Sequence, residues 1–198
     1  MSRLHLIDAG HPLAESSSER AVAEGFVTTV SPGDDDLEAD RLLIAELVRS
    51  HPNIADRHCR PGHLTGSALV VDAAGDHLAL LFHTKLQRWL QPGGHADGDT
   101  NLAAVALREA TEEIGVSGLR IDPRPLDLDI HLVRPPREDP HLHLDVRFLV
   151  VAPVGSVLAA NHESEALRWV RWDELDRYDP DPGLRRLASA ARIAVSEG

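Results

Sequence analysis

Apolar and polar residues alternate, or apolar residues run together for several positions, through most of the chain after residue 62. Alternation with a period of two is typical of strands that bury one face, and short apolar runs are typical of strands that bury both faces. Proline-rich residues 135–140 separate two long stretches of this kind, which are therefore predicted to form an antiparallel hairpin. The predicted strands are 65–72, 77–83, 119–122, 126–134, 141–151 and 167–172.

The first third of the chain contains one strong helical pattern. Residues 34–50 begin with acidic residues, end before Pro52 and carry apolar residues along one face. We expect this helix to pack on its own domain, and contact with a second copy in a homodimer is the alternative. Residues 4–7 and 26–30 are predicted as short strands, and residues 14–25 as a polar loop.

A turn-rich loop leads into the helix near the centre of the chain. The loop, residues 91–99, has glycine or proline at four positions, whereas residues 101–114 contain neither. The side chain of Asp99 or Thr100 is predicted to cap the first turn of this helix. Gly115 lies where helices commonly end in a left-handed residue.

The remaining pattern sets the fold class. Asp181 and Pro182 are typical of a helix start, and this last helix is predicted to run to about Val195. Strands, one central helix and one terminal helix predict an α+β fold. We divide the chain into an N-terminal extension, residues 1–61, and a second domain, residues 62–198, that contains the C-terminal helix.

Three carboxylates lie close together on the central helix. Glu109 is followed by Glu112 and Glu113, and side chains three or four positions apart are about 5–6 Å from each other. Such carboxylates repel each other unless a cation lies between them. Hard oxygen ligands of this kind suit Mg²⁺ or Mn²⁺. The alternative is a solvated acidic face, with Arg108 and Glu112 forming an ion pair.

The longer sequence pattern around these carboxylates favours the metal site over the solvated acidic face. Residues 94–116 resemble the Nudix box, G-x5-E-x7-R-E-U-x-E-E-x-G-U, in which U is a bulky apolar residue. The chain departs from this pattern at Ala110, which is small for its apolar position, and at Thr100, which replaces the first Glu of the box. The resemblance covers about residues 64–178 and implies an α/β/α sandwich with a mixed sheet. The matching residues are Gly94, Arg108, Glu109, Glu112, Glu113, Gly115 and Val116.

The resemblance also implies the chemistry. Nudix hydrolases cleave a nucleoside diphosphate linked to another moiety X, and water attacks a phosphorus of the diphosphate with the help of Mg²⁺ or Mn²⁺. The general base would be Glu109 or an acid from the loop before the last strand. Asp97 or Asp99 would hold the box arginine in place of the missing Glu. The implied catalytic residues are Arg108, Glu109, Glu112, Glu113 and Glu163, and the implied metal ligands are Gly93, Glu109, Glu112 and Glu113.

Candidate substrate contacts lie outside the helix. Histidines, aspartates and an arginine alternate along the hairpin 126–151, so they share one face of their strands. This face is predicted to shape the substrate pocket, or else to be the solvated face of an edge hairpin. A separate zinc site is not favoured, since no fourth ligand is evident. The candidate substrate-binding residues are Trp89, which could instead pack in the core, and His95, His143, Asp145 and Arg147.

Composition narrows the partners. The formal net charge of −12 argues against a nucleic-acid polymer, because binding to its phosphates requires a basic surface. No run of 18 apolar residues or signal-peptide pattern is present, so we expect neither a membrane span nor export. A single cysteine, Cys59, fits a reducing cytoplasm. The expected partner is a small nucleoside diphosphate derivative.

The substrate and two other function classes stay open at this point. A nucleotide-sugar such as ADP-ribose and a nucleoside triphosphate are comparable substrates, because residues 130–132 lack the proline of ADP-ribose hydrolases. Tyr178, the only tyrosine, lies too far downstream to match dinucleoside polyphosphate hydrolases. A Nudix-fold binding or regulatory module is one rival, which Thr100 favours. An isomerase like isopentenyl-diphosphate isomerase is the other rival. Such an isomerase needs a catalytic cysteine, and Cys59, the single cysteine, precedes the first core strand.

Overall fold

A mixed sheet lies between two layers of helices in the computed structural model, which describes residues 4–135, 138–159 and 164–197. The strands are β1 (Gly62–Val71), β2 (His77–His83), β3 (Arg88–Leu90), β4 (Gly93–His95), β5 (Arg120–Ile121), β6 (Asp127–Val133), β7 (His141–Val151) and β8 (Ser164–Arg171). The strand order is β3-β2-β1-β7-β5, and β4 pairs with β1, β6 with β7 and β8 with β2. The helices are α1 (Arg20–Thr29), α2 (Asp35–Ser50), α3 (Leu102–Ile114) and α4 (Pro182–Glu197), with 3-10 helices at Pro12–Ala14 and Trp172–Tyr178.

The predicted α+β class and α/β/α sandwich are therefore confirmed, and most predicted strands lie within a few residues of those observed. Strand β7 pairs antiparallel with β6, as predicted, but its last ten residues also pair in parallel with β1. Strand β7 is consequently internal to the sheet, so the alternative of a solvated edge hairpin is wrong for β7, whereas β6 pairs only with β7 among the described strands.

Strand β1 is buried at every position and separates two apolar cores. Leu64, Ala68 and Val70 join the core beneath α3, whereas Leu69 and Val71 join the core beneath α4. Side chains alternate between the two faces of a strand. The face of each residue on β1 is therefore fixed by whether its position is odd or even.

Gly66 brings α3 against the sheet. A methyl group at Gly66 would lie 2.8 Å from the carbonyl oxygen of Leu102 and 3.1 Å from Val105. The first turn of α3 therefore rests on the backbone of β1 without an intervening side chain. This contact fixes the distance from the sheet to the helix that carries the three carboxylates.

The N-terminal third is more helical than the sequence predicted. Residues 26–30, predicted as a strand, belong largely to α1, which also includes most of the second half of the predicted loop 14–25. Of residues 4–7, Ile7 forms one isolated bridge to Ile121. β-branched residues favour strands, but burial of Ala23 and Val27, four positions apart, selects a helix here.

Helix α2 agrees with its prediction and packs on its own chain. Asp34 caps it by accepting a hydrogen bond from the backbone N–H of Leu37 at 2.8 Å. Ile44 and Val48 lie in the same core as α3. None of the described helices is long and apolar enough to cross a membrane.

The close contact at Gly66 gives a first prediction. Gly66→Ala is expected to lower the free energy of unfolding by about 1–3 kcal/mol, because α3 has to move away from β1. Gly25→Ala is the matched control, since a methyl group there meets no atom within 4 Å in an exposed part of α1. The control should be neutral or stabilising by up to ~1 kcal/mol. Urea denaturation measures both, and equal effects would contradict the proposed role of Gly66.

Candidate active site

Helix α3, which carries the three carboxylates, is capped at both ends. The side chain of Asn101 accepts from the N–H of Ala104 at 3.3 Å, so the cap is one or two residues later than predicted. Asp99 supports it by accepting from the N–H of Asn101 at 2.8 Å. Gly115 ends the helix with φ of 65°, as predicted.

The double glycine of β4 lies directly against two of the three carboxylates. The N–H of Gly93 donates to Oε2 of Glu113 at 2.8 Å. A methyl group at Gly94 would overlap the carboxylate of Glu109. Glu113 is 6% exposed, whereas Glu112 faces solvent. The arrangement is a cluster of carboxylates that is rigid on one side and open on the other.

Arg108 lies at the edge of this cluster. It donates to Oε1 of Glu109 at 2.9 Å and to the carbonyl oxygen of His95 at 3.2 Å. Asp97 instead forms a two-pronged ion pair with Arg57, which is the main reason that the pKa of Asp97 is lowered. The charge of Arg108 is a minor cause of that shift, so it influences Asp97 without a hydrogen bond.

Thr100 has a different task from the Glu that it replaces. Its hydroxyl donates to the carbonyl oxygens of Ser17 at 3.0 Å and Glu19 at 2.9 Å, and Thr100 is 3% exposed. Asp99 also accepts from the N–H of Ser17 at 3.0 Å. The position of the first box Glu therefore fastens the N-terminal segment to the start of α3.

The N-terminal segment also bounds a cavity beside Glu112. The cavity has a volume of about 360 Å³ and runs along the outer side of α3. Its lining includes Arg108 and Glu112 from α3 and Ala9, Ala14 and Ser16 from the N-terminal segment. Residues outside the box helix thus shape the space next to Glu112.

Asp145 and Arg147 lie in a buried network on the other face of the sheet. Asp145 accepts from the hydroxyls of Thr65 at 2.9 Å and Ser67 at 2.7 Å, and from Arg147 Nε at 2.9 Å. Arg147 also pairs with Asp129 at 2.8 Å and Asp127 at 3.4 Å. Burial alone would lower the pKa of Arg147, but these carboxylates outweigh burial and raise it. Both candidate substrate contacts thus already have protein partners.

Histidines from three strands meet on the same face as this network. His95 and His143 were predicted as substrate contacts, and the structure adds His63, which the sequence analysis missed. His63 lies directly opposite His143 in the parallel pairing of β1 with β7. Burial is the main cause that lowers the pKa of His63 to about 4 and of His143 to about 2, and it also lowers the pKa of His95.

The other predicted residues are further from these contacts. Trp89 packs edge-on against Phe82 and Tyr178, with ring centroids 5.4 and 5.1 Å away, which matches its alternative as a packing residue. Glu163, the candidate loop base, lies outside the described residues. Cys59 is buried, and burial raises the pKa of its thiol, as expected for an inert cysteine.

The family model of the NUDIX domain matches residues 63–190, which is 128 of the 198 residues. The chain belongs to the Nudix family. It is a pyrophosphohydrolase of that family, and the box around Glu109, Glu112 and Glu113 lies inside the matched region. A search of curated protein sequences gave no significant match.

Solved structures agree with this fold at low sequence identity. An Ap4A hydrolase binary complex from C. elegans is 15% identical, with a TM-score of 0.56 over 68% of this chain and 98% of that one. The dihydroneopterin triphosphate pyrophosphohydrolase of E. coli is 13% identical, with a TM-score of 0.51 over 70% and 97%. The NUDIX domain of Shewanella oneidensis NrtR, complexed with ADP ribose, is 16% identical, with a TM-score of 0.50 over 75% and 96%.

The buried network around Arg147 makes a prediction about stability. Arg147→Met is expected to lower the free energy of unfolding by about 3–5 kcal/mol, because it leaves the buried carboxylate of Asp145 without its cation, whereas Asp127 and Asp129 keep Arg186. Arg171→Met is the control, since Arg171 pairs with Asp173 at the surface and should cost no more than about 0.5 kcal/mol. Chemical denaturation monitored by circular dichroism compares the two. A loss for Arg147→Met as small as for the control would show that the network contributes little.

Proposed function

We propose that this protein hydrolyses a nucleoside diphosphate linked to another moiety, with Mg²⁺ or Mn²⁺ bound by the box carboxylates. The observation that carries the proposal is the contact of the double glycine with Glu109 and Glu113. Clustered carboxylate oxygens around a turn without side chains match the oxygen ligands and open coordination that Mg²⁺ requires in phosphate chemistry. The ligands would be Glu109, Glu112, Glu113 and the carbonyl oxygen of Gly93.

Each residue of the site has a proposed role. The bound cation would neutralise the diphosphate and lower the pKa of a water molecule. Arg108 holds Glu109 through its hydrogen bond, while the N–H of Gly93 holds Glu113. Glu109 or Glu163 would take the proton from the attacking water. No covalent enzyme intermediate is needed.

We further propose that the substrate carries two phosphates rather than three. The chain has a formal net charge of −12, so every additional negative charge on a substrate increases the repulsion during approach. A nucleotide-sugar such as ADP-ribose is therefore the first candidate. A nucleoside triphosphate is the second. His95 and His143 lie on the face of the sheet opposite Glu109, away from the proposed metal site of the box. The ion pairs of Asp145 and Arg147 favour a supporting role for these two residues.

We propose residues 62–198 as the catalytic domain and residues 1–61 as an extension that completes it. Two observations support this assignment of roles. Thr100 contacts Ser17 and Glu19, and Ser16 and Glu112 line the same cavity. The extension would thus form one wall of the substrate site.

The proposed function predicts a metal-dependent activity that depends on the box. Phosphate or nucleotide release is measured across nucleoside diphosphate derivatives and triphosphates with Mg²⁺ or Mn²⁺. Glu112→Gln/Glu113→Gln is expected to lower turnover by on the order of 10²-fold or more, because neutral amides bind the cation poorly. Glu46→Gln, an exposed change on α2, is the control and should have no effect.

Two results would contradict the proposal. Turnover that is independent of added metal, or equal in the double variant, would exclude the box as the catalytic site. Ligand binding by the wild type without turnover of any panel member would favour the binding or regulatory module instead.

Restoring the box pattern at Thr100 is predicted to fail. Thr100→Glu places a carboxylate in a buried site that faces the carbonyl oxygens of Ser17 and Glu19, so it should destabilise the fold and not raise turnover. Thr100→Val is the matched control, and loss of the hydroxyl alone should cost about 1 kcal/mol. Melting temperatures and turnover are measured together. Higher turnover in Thr100→Glu would show that the missing Glu limits catalysis.

A further inference from the structure

Three histidines are brought together by strand pairing rather than by sequence proximity. His63 on β1 lies opposite His143 on β7, and His95 on β4 lies opposite Thr65, two residues along β1. Their possible ligand atoms all lie within 4.8 Å of one another. Because the backbone pairing of three strands sets these positions, the cluster is a built feature of the sheet.

His63 supplies a second, independent observation. It is 1% exposed, and neither Nδ1 nor Nε2 has a hydrogen-bond partner among the described residues. A buried polar group without a partner costs about 1–3 kcal/mol. His63 faces His95 and His143, with ring centroids 5.0 and 4.8 Å away. The unpartnered imidazole is therefore directed at the cluster.

We propose that His63, His95 and His143 bind a zinc ion at a site distinct from the carboxylates of the box. Imidazole nitrogen suits Zn²⁺ and its neighbours in the first transition row, whereas Mg²⁺ prefers oxygen. Zn–N bonds of about 2.0–2.1 Å in a tetrahedron place ligand nitrogens about 3.3 Å apart. Small rotations of the three side chains close the gap from their present separation.

Two more histidines, His141 and His131, lie beside the cluster, and His141 is the candidate for the fourth ligand that the sequence analysis did not find. His141 Nδ1 lies 2.8 Å from the carbonyl oxygen of Asp139. A carbonyl oxygen only accepts, so Nδ1 carries the proton and Nε2 keeps its lone pair. The ring of His141 lies 5.0 Å from His63 and 5.5 Å from His143. His131, held by Asp129 at 3.1 Å, lies 5.2 Å from His143.

These two contacts are of the kind that orient metal ligands. Histidine ligands commonly donate their other ring N–H to a carboxylate or a backbone carbonyl, which fixes the tautomer and ring direction. His141 and His131 make one contact of each type. A water molecule at the fourth position is the alternative to His141, and both leave three imidazoles as the common set.

The zinc site would act on the box through β4. On β4, Gly94 faces Glu109, whereas the side chain of His95 lies on the opposite face of the strand. The carbonyl oxygen of His95 accepts a hydrogen bond from Arg108. A metal ion on His95 would therefore tie β4 to β1 and β7. It would hold the double glycine in place without contacting the reacting diphosphate.

Metal binding to the full chain tests this proposal directly. The protein is stripped with a chelator and then titrated with Zn²⁺ by calorimetry and with Co²⁺ by visible absorption, both in excess Mg²⁺. Mg²⁺ fills the carboxylates and does not compete for imidazoles. The expected result is one ion per chain, with the strong visible bands of four-coordinate Co²⁺ in nitrogen ligands. His63→Ala should lower the affinity by about 100-fold or more.

Two controls separate this site from others. His58→Ala removes an exposed histidine that pairs with Asp56 and should bind the ion like the wild type. Glu112→Gln/Glu113→Gln should also bind it, because the box is not part of the site. The proposal is overturned if the wild type binds no stoichiometric ion, if His63→Ala binds as tightly as the wild type, or if the double Glu variant loses the ion.

The proposal can also be tested if His63→Ala does not fold. If His63→Ala loses its circular dichroism signal, His95→Asn and His143→Asn take its place with the same expected loss of affinity. The Co²⁺ spectrum of the wild type also decides independently of any variant. Weak bands typical of six-coordinate Co²⁺ in oxygen ligands would refute an imidazole site.

Discussion

The alternation of side chains along β1 is the constraint on which the rest of the molecule depends. Even positions, such as Leu64 and Gly66, face the helix that carries the carboxylates, and odd positions, such as His63 and Ser67, face the opposite layer. A shift of one residue would exchange the two sets. Because β1 is paired on both sides with β4 and β7, the same alternation governs where Gly94 and His95 point.

The N-terminal segment contacts the start of the box helix at the position of one substitution in the box pattern. Where the family has a carboxylate that supports the box arginine, Thr100 supports the backbone of residues 17–19 instead. Arg108 then relies on Glu109 and the carbonyl oxygen of His95. The chain has thus exchanged a polar contact inside the box for a contact between the box and the preceding segment, and it gains a wall for the cavity beside Glu112.

Structural features that depend on adjacent residues could be predicted from the sequence. The box helix could be predicted with its end at Gly115, because the end of a helix depends on adjacent residues. The helical structure of residues 26–30 could not be predicted in this way, since their β-branched side chains favour a strand. Only burial of Val27 in the tertiary core selects a helix. His63 was missed for a related reason: its neighbours His95 and His143 come from other strands, and their meeting depends on a register that no spacing along the chain encodes.

The parallel pairing of β1 with β7 has a consequence for how the protein is made. Residues joined across this pairing are 80 positions apart, so β1 and the whole of α3 are synthesised before β7. An isolated helix of 13 residues is marginal in water, which leaves α3 with little to hold it until that strand arrives. Long-range pairings of this kind form slowly. The box carboxylates on one face of the sheet and the three histidines on the other therefore reach their positions together only when the pairing of β1 with β7 forms.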